Sequence, residues 1–477
     1  MIKATKVLIF ILATVCSNGY SQLNSFDLSD YKLPDLNRRT LDTYVNLSGN
    51  NEYDGVAKIG ENKYHGNISL NYQHYQNKSS FQRLTNVKFD ISPQYSHQKN
   101  EYSRMGIDPS ISYERYNRHY YEENKFLTTD IIFNYQYEKT KNKSANFPSA
   151  ELKVIDDIKI HTLFFQLPVK FGTGRIEPVQ DARHAVYIYD RLSKINRVNS
   201  DKTDEEIKEL AQLISQLKNK RFFDSRLRRM AELETIDSFL IAKNYLKESD
   251  AKYFTTLTDI WDYGNRPFRY SGTRVAGAFI PGYYYYNYYE PETAGSYPQS
   301  KQIVSSFSFD AGIELTREKP VNLFWQNSIN LNSYAGIVFV NEENFGGTNK
   351  IQLPNIQFAF DQTFAYYPNT RTDISFGYVV QFVKLFDLTD NEDEYIGYEG
   401  HGLNTTGFLD LNYYISPRLR FNFKSSIFYR WQEGNANINF GNIGGNYRID
   451  NSNNQFTDYP DKYLSHNFRI SLRYSIF

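Results

Sequence analysis

Residues 418–431 read RLRFNFKSSIFYRW. Leu419, Phe421, Phe423, Ile427, Tyr429 and Trp431 take the odd positions, and Arg418, Arg420, Asn422, Lys424, Ser426 and Arg430 take the even ones. Successive side chains of a strand point to opposite faces, so this spacing builds one apolar face and one polar face. A strand in a soluble sandwich also alternates, but over a shorter run and with its polar face in bulk water. An alternating run of about ten residues with aromatics near its ends is the pattern of a barrel strand that crosses a membrane, one face to lipid and one to the lumen.

The pattern recurs along the last third of the chain. Asp310, Gly312, Glu314 and Thr316 alternate with Phe309, Ala311, Ile313 and Leu315, and Asn355, Gln357, Asp361 and Thr363 with Ile356, Phe358, Phe360 and Phe364. Arg371, Asp373, Ser375 and Gln381 alternate with Ile374, Phe376, Tyr378, Val380 and Phe382, and Asp410 and Asn412 with Leu409, Leu411 and Tyr413. The chain closes with Phe468, Ile470, Leu472, Tyr474 and Ile476 against Arg469, Ser471, Arg473 and Ser475. Composition agrees: an aromatic fraction of 17% with 41 Tyr is high for a soluble chain, yet the mean hydropathy of -0.61 is hydrophilic. That combination is expected when half of every spanning strand faces water. After the N-terminus no apolar run approaches the roughly 18 to 20 residues of a spanning helix, which excludes a helical membrane protein.

Lys3 and Lys6 precede an apolar core over 7–15, then small and polar residues with a cleavage site after Ser21. Residues 1–21 therefore read as an export signal that is removed. The single cysteine, Cys16, lies inside it, so the mature chain is expected to lack thiols and disulfides. A lipoprotein reading would acylate Cys16, but Val15 is a poor residue before an acylated cysteine. The formal net charge is zero, so nothing global argues for nucleic acid as a partner.

Tight connections rich in turn formers near 317–322, 368–371 and 416–419 alternate with long polar stretches at 341–350, 387–402 and 434–462. Outer-membrane barrels keep short turns in the periplasm and long loops outside, which directs the last strand inward. Strand patterns near 64–76, 82–97, 108–121, 126–139 and 158–172, and again from 268 onward, leave an odd count. An even count requires one more strand near 43–60. The expected fold is thus an all-β antiparallel transmembrane barrel of about 14 strands, within a range of 12 to 16, carrying an inserted α-helical subdomain. The divisions are a 22–63 periplasmic segment with the first strand, barrel strands over 64–172, the insertion over 173–267 and barrel strands over 268–477. The stretch 434–462 has room for a further hairpin.

Within the insertion the period becomes helical. Thr203 and Glu206 form a capping box ahead of Ile207, Leu210, Ala211, Ile214 and Leu217 on one face. One helix is expected before it, over 178–196, and others after it through Leu227, Met230, Leu233, Ile236, Phe239 and Leu240. Strand parity puts the insertion on the periplasmic side.

Several charge sets are candidates for function. Arg420, Lys424, Arg430, Arg469 and Arg473 are expected to point into the lumen opposite Asp310, Glu314, Asp361 and Asp410, a transverse field that would tune ion selectivity. The alternative is that these charges pair and plug the interior. Lys218, Lys220, Arg221, Arg226, Arg228 and Arg229 cluster around Asp224 and offer an anionic periplasmic partner or cell-wall polymer a basic surface, although a solvated helix face is the commoner explanation of such a run. Asp387, Asp390, Glu392, Asp393 and Glu394 form an acidic external loop without the glycine that a calcium-binding loop needs. The tyrosine-rich run 283–289 reads as an interfacial girdle, with a carbohydrate-stacking surface as the minority reading. No catalytic motif accompanies the scattered histidines, and His97, His119 and His161 show no partner pattern. Neither an enzyme activity nor a metal or cofactor is expected.

Over 64–172 and 268–477 the chain resembles Gram-negative outer-membrane β-barrel proteins as a class. The resemblance implies contact with outer-membrane lipid and assembly by the barrel-assembly machinery, guided by the last strand, which ends at the aromatic Phe477. Here the apolar parity of that strand falls on Ile476 instead, a departure from the usual signal. Residues 172–185, GTGRIEPVQDARHA, look like a family motif. Two functions follow: a passive channel or transporter for small polar or ionic solutes whose pore the insertion restricts, or a non-conducting scaffold whose insertion docks a periplasmic partner.

Overall fold

The structure, a computed structural model, describes residues 26–477 except 55–58, 99–101, 146–151, 200–201, 220–224, 265–268, 293–298, 345–346, 387, 389–399, 417–418, 435–437, 440–447, 450–461 and 475–477. The export signal with Cys16, the acidic loop residues around Asp390 and the terminal Phe477 lie outside the described residues.

The wall is an up-and-down antiparallel barrel sheet. Its first half comprises β1 (Leu36–Asp54), β2 (Ile59–Lys78), β3 (Phe81–Gln98), β4 (Tyr102–Tyr120), β5 (Lys125–Thr129 and Ile131–Ala145) and β6 (Leu152–Gln166 and Val169–Pro178). After the helices come β7 (Tyr270–Glu290), β8 (Ser300–Pro320), β9 (Trp325–Asn344), β10 (Gly347–Tyr366), β11 (Thr372–Leu385), β12 (Gly400–Tyr414), β13 (Leu419–Gly434) and β14 (Lys462–Tyr474). Counting the interrupted β5 and β6 once each turns sixteen ladder segments into fourteen strands, with β1 and β14 at the ends of the order. The first strand expected near 43–60 is β1. The stretch 434–462 does hold a small ladder, Ile438–Asn439 with Arg448–Ile449.

The interruptions have a chemical cause. Pro168 has no N–H to give, so the β6 ladder cannot run through it. Asp130 instead donates its N–H to the Pro168 carbonyl at 2.8 Å, Leu167 donates to the Pro281 carbonyl at 3.1 Å, and the Asp130 carboxylate accepts from the Asn117 N–H at 3.0 Å. The backbone groups freed by the break are thus re-paired within the wall.

Burial is inverted relative to a water-soluble protein. Leu47 is 82% exposed and Phe171 67%, whereas Asp310 and Gln357 are each 1% exposed. Apolar side chains such as Phe279, Phe309 and Ile313 cover the outer face, and polar ones such as Gln166, Asn355 and Asn422 are buried on the inner face.

Four helices follow β6: α1 (Gln180–Lys194), α2 (Asp204–Asn219), α3 (Ser225–Ala242) and α4 (Ala251–Tyr263). The wall strand β6 therefore runs past Gly172 to Pro178, and the helical region begins later than the strand pattern implies. The capping box forms reciprocally: the Glu206 N–H donates to Thr203 Oγ1 at 3.3 Å, and the Thr203 N–H to Glu206 Oε2 at 2.8 Å. Asp250 caps α4 by accepting from the Tyr253 N–H at 2.8 Å. Val186, Ile188, Ile207, Leu210, Ile214 and Leu257 form an apolar core, joined by Leu28, Tyr31 and Leu33 from the segment before β1 and by Leu323 from the β8–β9 turn. Met230, expected on the apolar stripe of α3, is 57% exposed. The helical core thus closes onto the short-turn end of the barrel, the end that also receives the chain before β1.

Candidate functional site

The inner face and its helical cap together form the candidate site. On the inner face Lys170 of β6 binds Glu314 of β8 at 2.8 Å and stands 3.9 Å from Asp130, and the Tyr334 hydroxyl donates to Glu314 at 2.5 Å. Asp310 lies two residues along β8 from Gly312; Gln357 donates to its Oδ1 at 3.4 Å, and its Oδ2 has no hydrogen-bond partner among the described residues. A Cβ at Gly336 would overlap the Asp310 carboxylate, so glycine is needed for that side chain to lie flat on the wall. Asp361 accepts from Thr363 Oγ1 at 3.3 Å.

The basic strands share this face. Lys424 pairs with Asp410 at 2.9 Å, Asn422 donates to Asp410 at 2.6 Å, Arg420 to the Tyr414 hydroxyl at 3.4 Å, and Arg430 to Gln432 at 2.7 Å. Arg469 stands opposite Lys424 in the ladder and Arg473 opposite Arg420; the Arg473 side chain is outside the described residues. Asp410 and Lys424 are thus neighbours on adjacent strands, and the partner of Glu314 is Lys170. Lys170 and Asp130 escaped the sequence reading, although Lys170 sits between the outward Val169 and Phe171 and is visible to the same parity rule.

The tyrosine run divides between faces. Tyr283 and Tyr289 point outward, Tyr283 packing on Phe307 with ring centroids 4.8 Å apart, while Tyr284, Tyr286 and Tyr288 share the opposite parity. His161 bonds Tyr135 at 2.9 Å and His119 stacks on Phe81 at 4.9 Å, so the strand histidines are dispersed. At the loop end of β1–β4 a cavity of about 330 Å³ is lined by Lys63, His65, Gln94 and Arg104.

The motif 172–185 is the joint between wall and cap. Gly174 adopts φ 101, a conformation that a side chain would strain, and any Cβ there would strike the Thr273 carbonyl. Arg175 donates to the carbonyls of Ser79 at 2.7 Å and Lys78 at 2.9 Å, pairs with Glu177 at 2.6 Å, and lies 4.8 Å over the Tyr120 ring. Glu177 in turn accepts from the Leu33 N–H at 3.3 Å. His184 stacks on Trp261 with centroids 5.0 Å apart. Arg183 and the rim residue Arg269, both fully buried, approach the Tyr367 ring from 5.0 and 5.2 Å. Burial first and the Arg183 charge second lower the Arg269 pKa. Its guanidinium is held by the carbonyls of Leu323, Asn322 and Trp325 at 2.6, 2.7 and 2.6 Å. On the far side of the cap, Arg371 of the β10–β11 turn pairs with Asp259 of α4 at 2.5 Å.

One member of the basic cluster departs from the expected surface. Lys218 is only 2% exposed and binds Asp181 of α1 at 2.7 Å, because α2 turns that position into the core. Burial alone would raise the Asp181 carboxyl, but the Lys218 charge and hydrogen bond, then Ser215, outweigh it and hold it below the ordinary carboxylate range. Arg229 pairs with Asp262 at 2.5 Å and Arg228 is half-buried on α3. Lys220, Arg221, Asp224 and the Arg226 side chain lie outside the described residues.

No protein-family model and no curated protein sequence matches the chain. Among solved structures it is similar to the translocator domain of the autotransporter NalP from Neisseria meningitidis, at 9% identity over 80% of this chain and 88% of that one, with a TM-score of 0.28. It is likewise similar to the deltaS2S3 mutant of the TodX monoaromatic hydrocarbon channel, at 8% identity over 86% and 88% of the two chains and a TM-score of 0.28. The CymD monoaromatic hydrocarbon channel follows at 8% identity over 84% and 85%, with a TM-score of 0.27.

Proposed function

We propose that this chain is an outer-membrane channel for small polar or ionic solutes, and that its helical module caps the periplasmic mouth. The observation that carries the reading is the inversion of polarity across the wall, with leucine and phenylalanine exposed outside while aspartate and glutamine are buried inside. Exposing so continuous an apolar surface is unfavourable in water, whereas lipid removes that cost. The cap supports the periplasmic assignment, because it meets the short-turn end through the Asp259–Arg371 pair, through Arg183 over the Tyr367 ring and through Leu323 in its core.

A second reading has its own support: Lys170 with Glu314 and Lys424 with Asp410 neutralise one another, as in a filled, non-conducting scaffold. Planar-bilayer conductance of the refolded, processed protein separates the two. The channel reading expects a pore whose ion preference shifts towards cations in Arg420→Glu and whose conductance rises when residues 180–263 are replaced by a short linker. A silent bilayer for both the full chain and the deletion would leave only the scaffold.

A further inference from the structure

We infer that the outer surface of β5–β8 at the loop end binds the phosphate groups of a phosphorylated glycolipid of the outer leaflet; the inference rests on the outer-membrane reading above. The outward rows of these strands change character in order. Phe133, Phe165, Tyr283 and Phe307 stand side by side in register. Nearer the loops come Tyr135, Tyr137 and His161, with His161 tilted on Tyr137 at 4.7 Å. The next row runs from Lys139 through Lys159 and Tyr289 to Lys301, and Lys141 lies one row further out. Apolar, then aromatic, then cationic is the sequence a side chain meets on passing from acyl chains through the interface to charged headgroups. From Lys125 at the periplasmic turn to Lys139 a tilted strand rises about 35 Å, above an apolar band of about 25 Å.

The lysines need an anion. Lys139 and Lys159 are directly opposed in the ladder, an arrangement that is destabilising for like charges. Neither they nor Lys301 has a carboxylate salt bridge among the described residues, and the Lys159 ammonium lies over the Tyr289 ring, 5.7 Å from its centroid. Among the described residues Asp157 shares this face opposite Lys141, its Oδ1 without a hydrogen-bond partner, and the outward Glu343 stands on the neighbouring β9 opposite Ile303, one row below Lys301. Two strand spacings of about 4.8 Å separate Lys159 from Lys301 across Tyr289, so two phosphates on one headgroup would engage both sides of the ring. The location at the long-loop end selects the outer leaflet, whose lipids carry such headgroups, over a phospholipid of the inner one.

The test uses the processed chain refolded into vesicles of phosphatidylcholine alone, with added lipid A, or with added phosphatidylglycerol, and titrates a fluorescent lipid A against protein in detergent. The wild type should prefer lipid A, with affinity falling as salt rises. The triple variant Lys139→Gln, Lys159→Gln, Lys301→Gln should bind roughly 100-fold more weakly, from about fivefold per lysine, while Lys194→Gln on α1 should bind as wild type. Equal binding of phosphatidylglycerol, displacement by millimolar inorganic phosphate alone, or an unchanged triple variant would each overturn the assignment. Insertion into phosphatidylcholine without lipid A preference defeats this inference alone; failure to insert into any vesicle defeats the membrane reading with it.

Discussion

At the scale of single residues, Lys218 separates charge as a composition from charge as a structure. It opens a run of cations, yet its ammonium is enclosed with the Asp181 carboxylate, and Ser215 bonds the same carboxylate. Removing one member of a buried pair leaves the other charge without compensation, which costs about 3 to 5 kcal/mol, whereas replacing both with apolar residues is near neutral. Lys218→Ala should therefore destabilise the helical cap by about that amount, and Lys218→Met combined with Asp181→Leu should recover most of it. Denaturant titration followed by the helical far-UV signal checks both; a single variant as stable as wild type would mean that the pair is solvated.

Among the elements, the helices are the part whose stability should respond to acid. The Asp250 carboxyl falls from an ordinary 3.8 to about 2, first through its hydrogen bond from Arg197 and then through the Tyr253 N–H. Asp181 is lowered too. A carboxyl whose pKa is depressed on folding adds stability that is fully present above its unfolded value and is lost as pH falls through its folded value. The cap should keep its stability above about pH 4 and lose it progressively towards pH 2. The barrel ladder, held by backbone hydrogen bonds, should persist there. Proteolysis across this range should release fragments from 180–263 while a barrel core survives, and simultaneous loss of both would contradict separate cap and wall.

For the whole molecule, the decisive quantity is the even strand number. Fourteen antiparallel strands bring β1 and β14 into antiparallel orientation, and an unpaired edge in hydrocarbon leaves N–H and C=O groups without partners at several kcal/mol each. The two edges are therefore expected to pair in the membrane. Single cysteines along β1, each combined with one at Leu472 of β14, should form a disulfide at one register and not at its neighbours. Boiled and unboiled protein should migrate differently on a gel, and absence of both effects would argue against a closed wall.

The sequence by itself determined what depends on local periodicity. Alternation at residues such as Leu419 and Arg420 set the two faces of each strand, the tight connections near 317–322 and 368–371 set where the strands turn, and Thr203 with Glu206 set a helix start, because each of these is decided within a few residues. Only the tertiary structure decided which charges meet: Lys170 with Glu314, Lys218 with Asp181, and Arg269 with the carbonyls of the β8–β9 turn. Those partners come from distant segments. Their choice follows from which strands lie beside one another and which helix face turns inward, and neither leaves a periodic trace in the chain. The role of residues 172–185 belongs to the same class, since Arg175 has no visible purpose until the turn before β3 is placed beneath it.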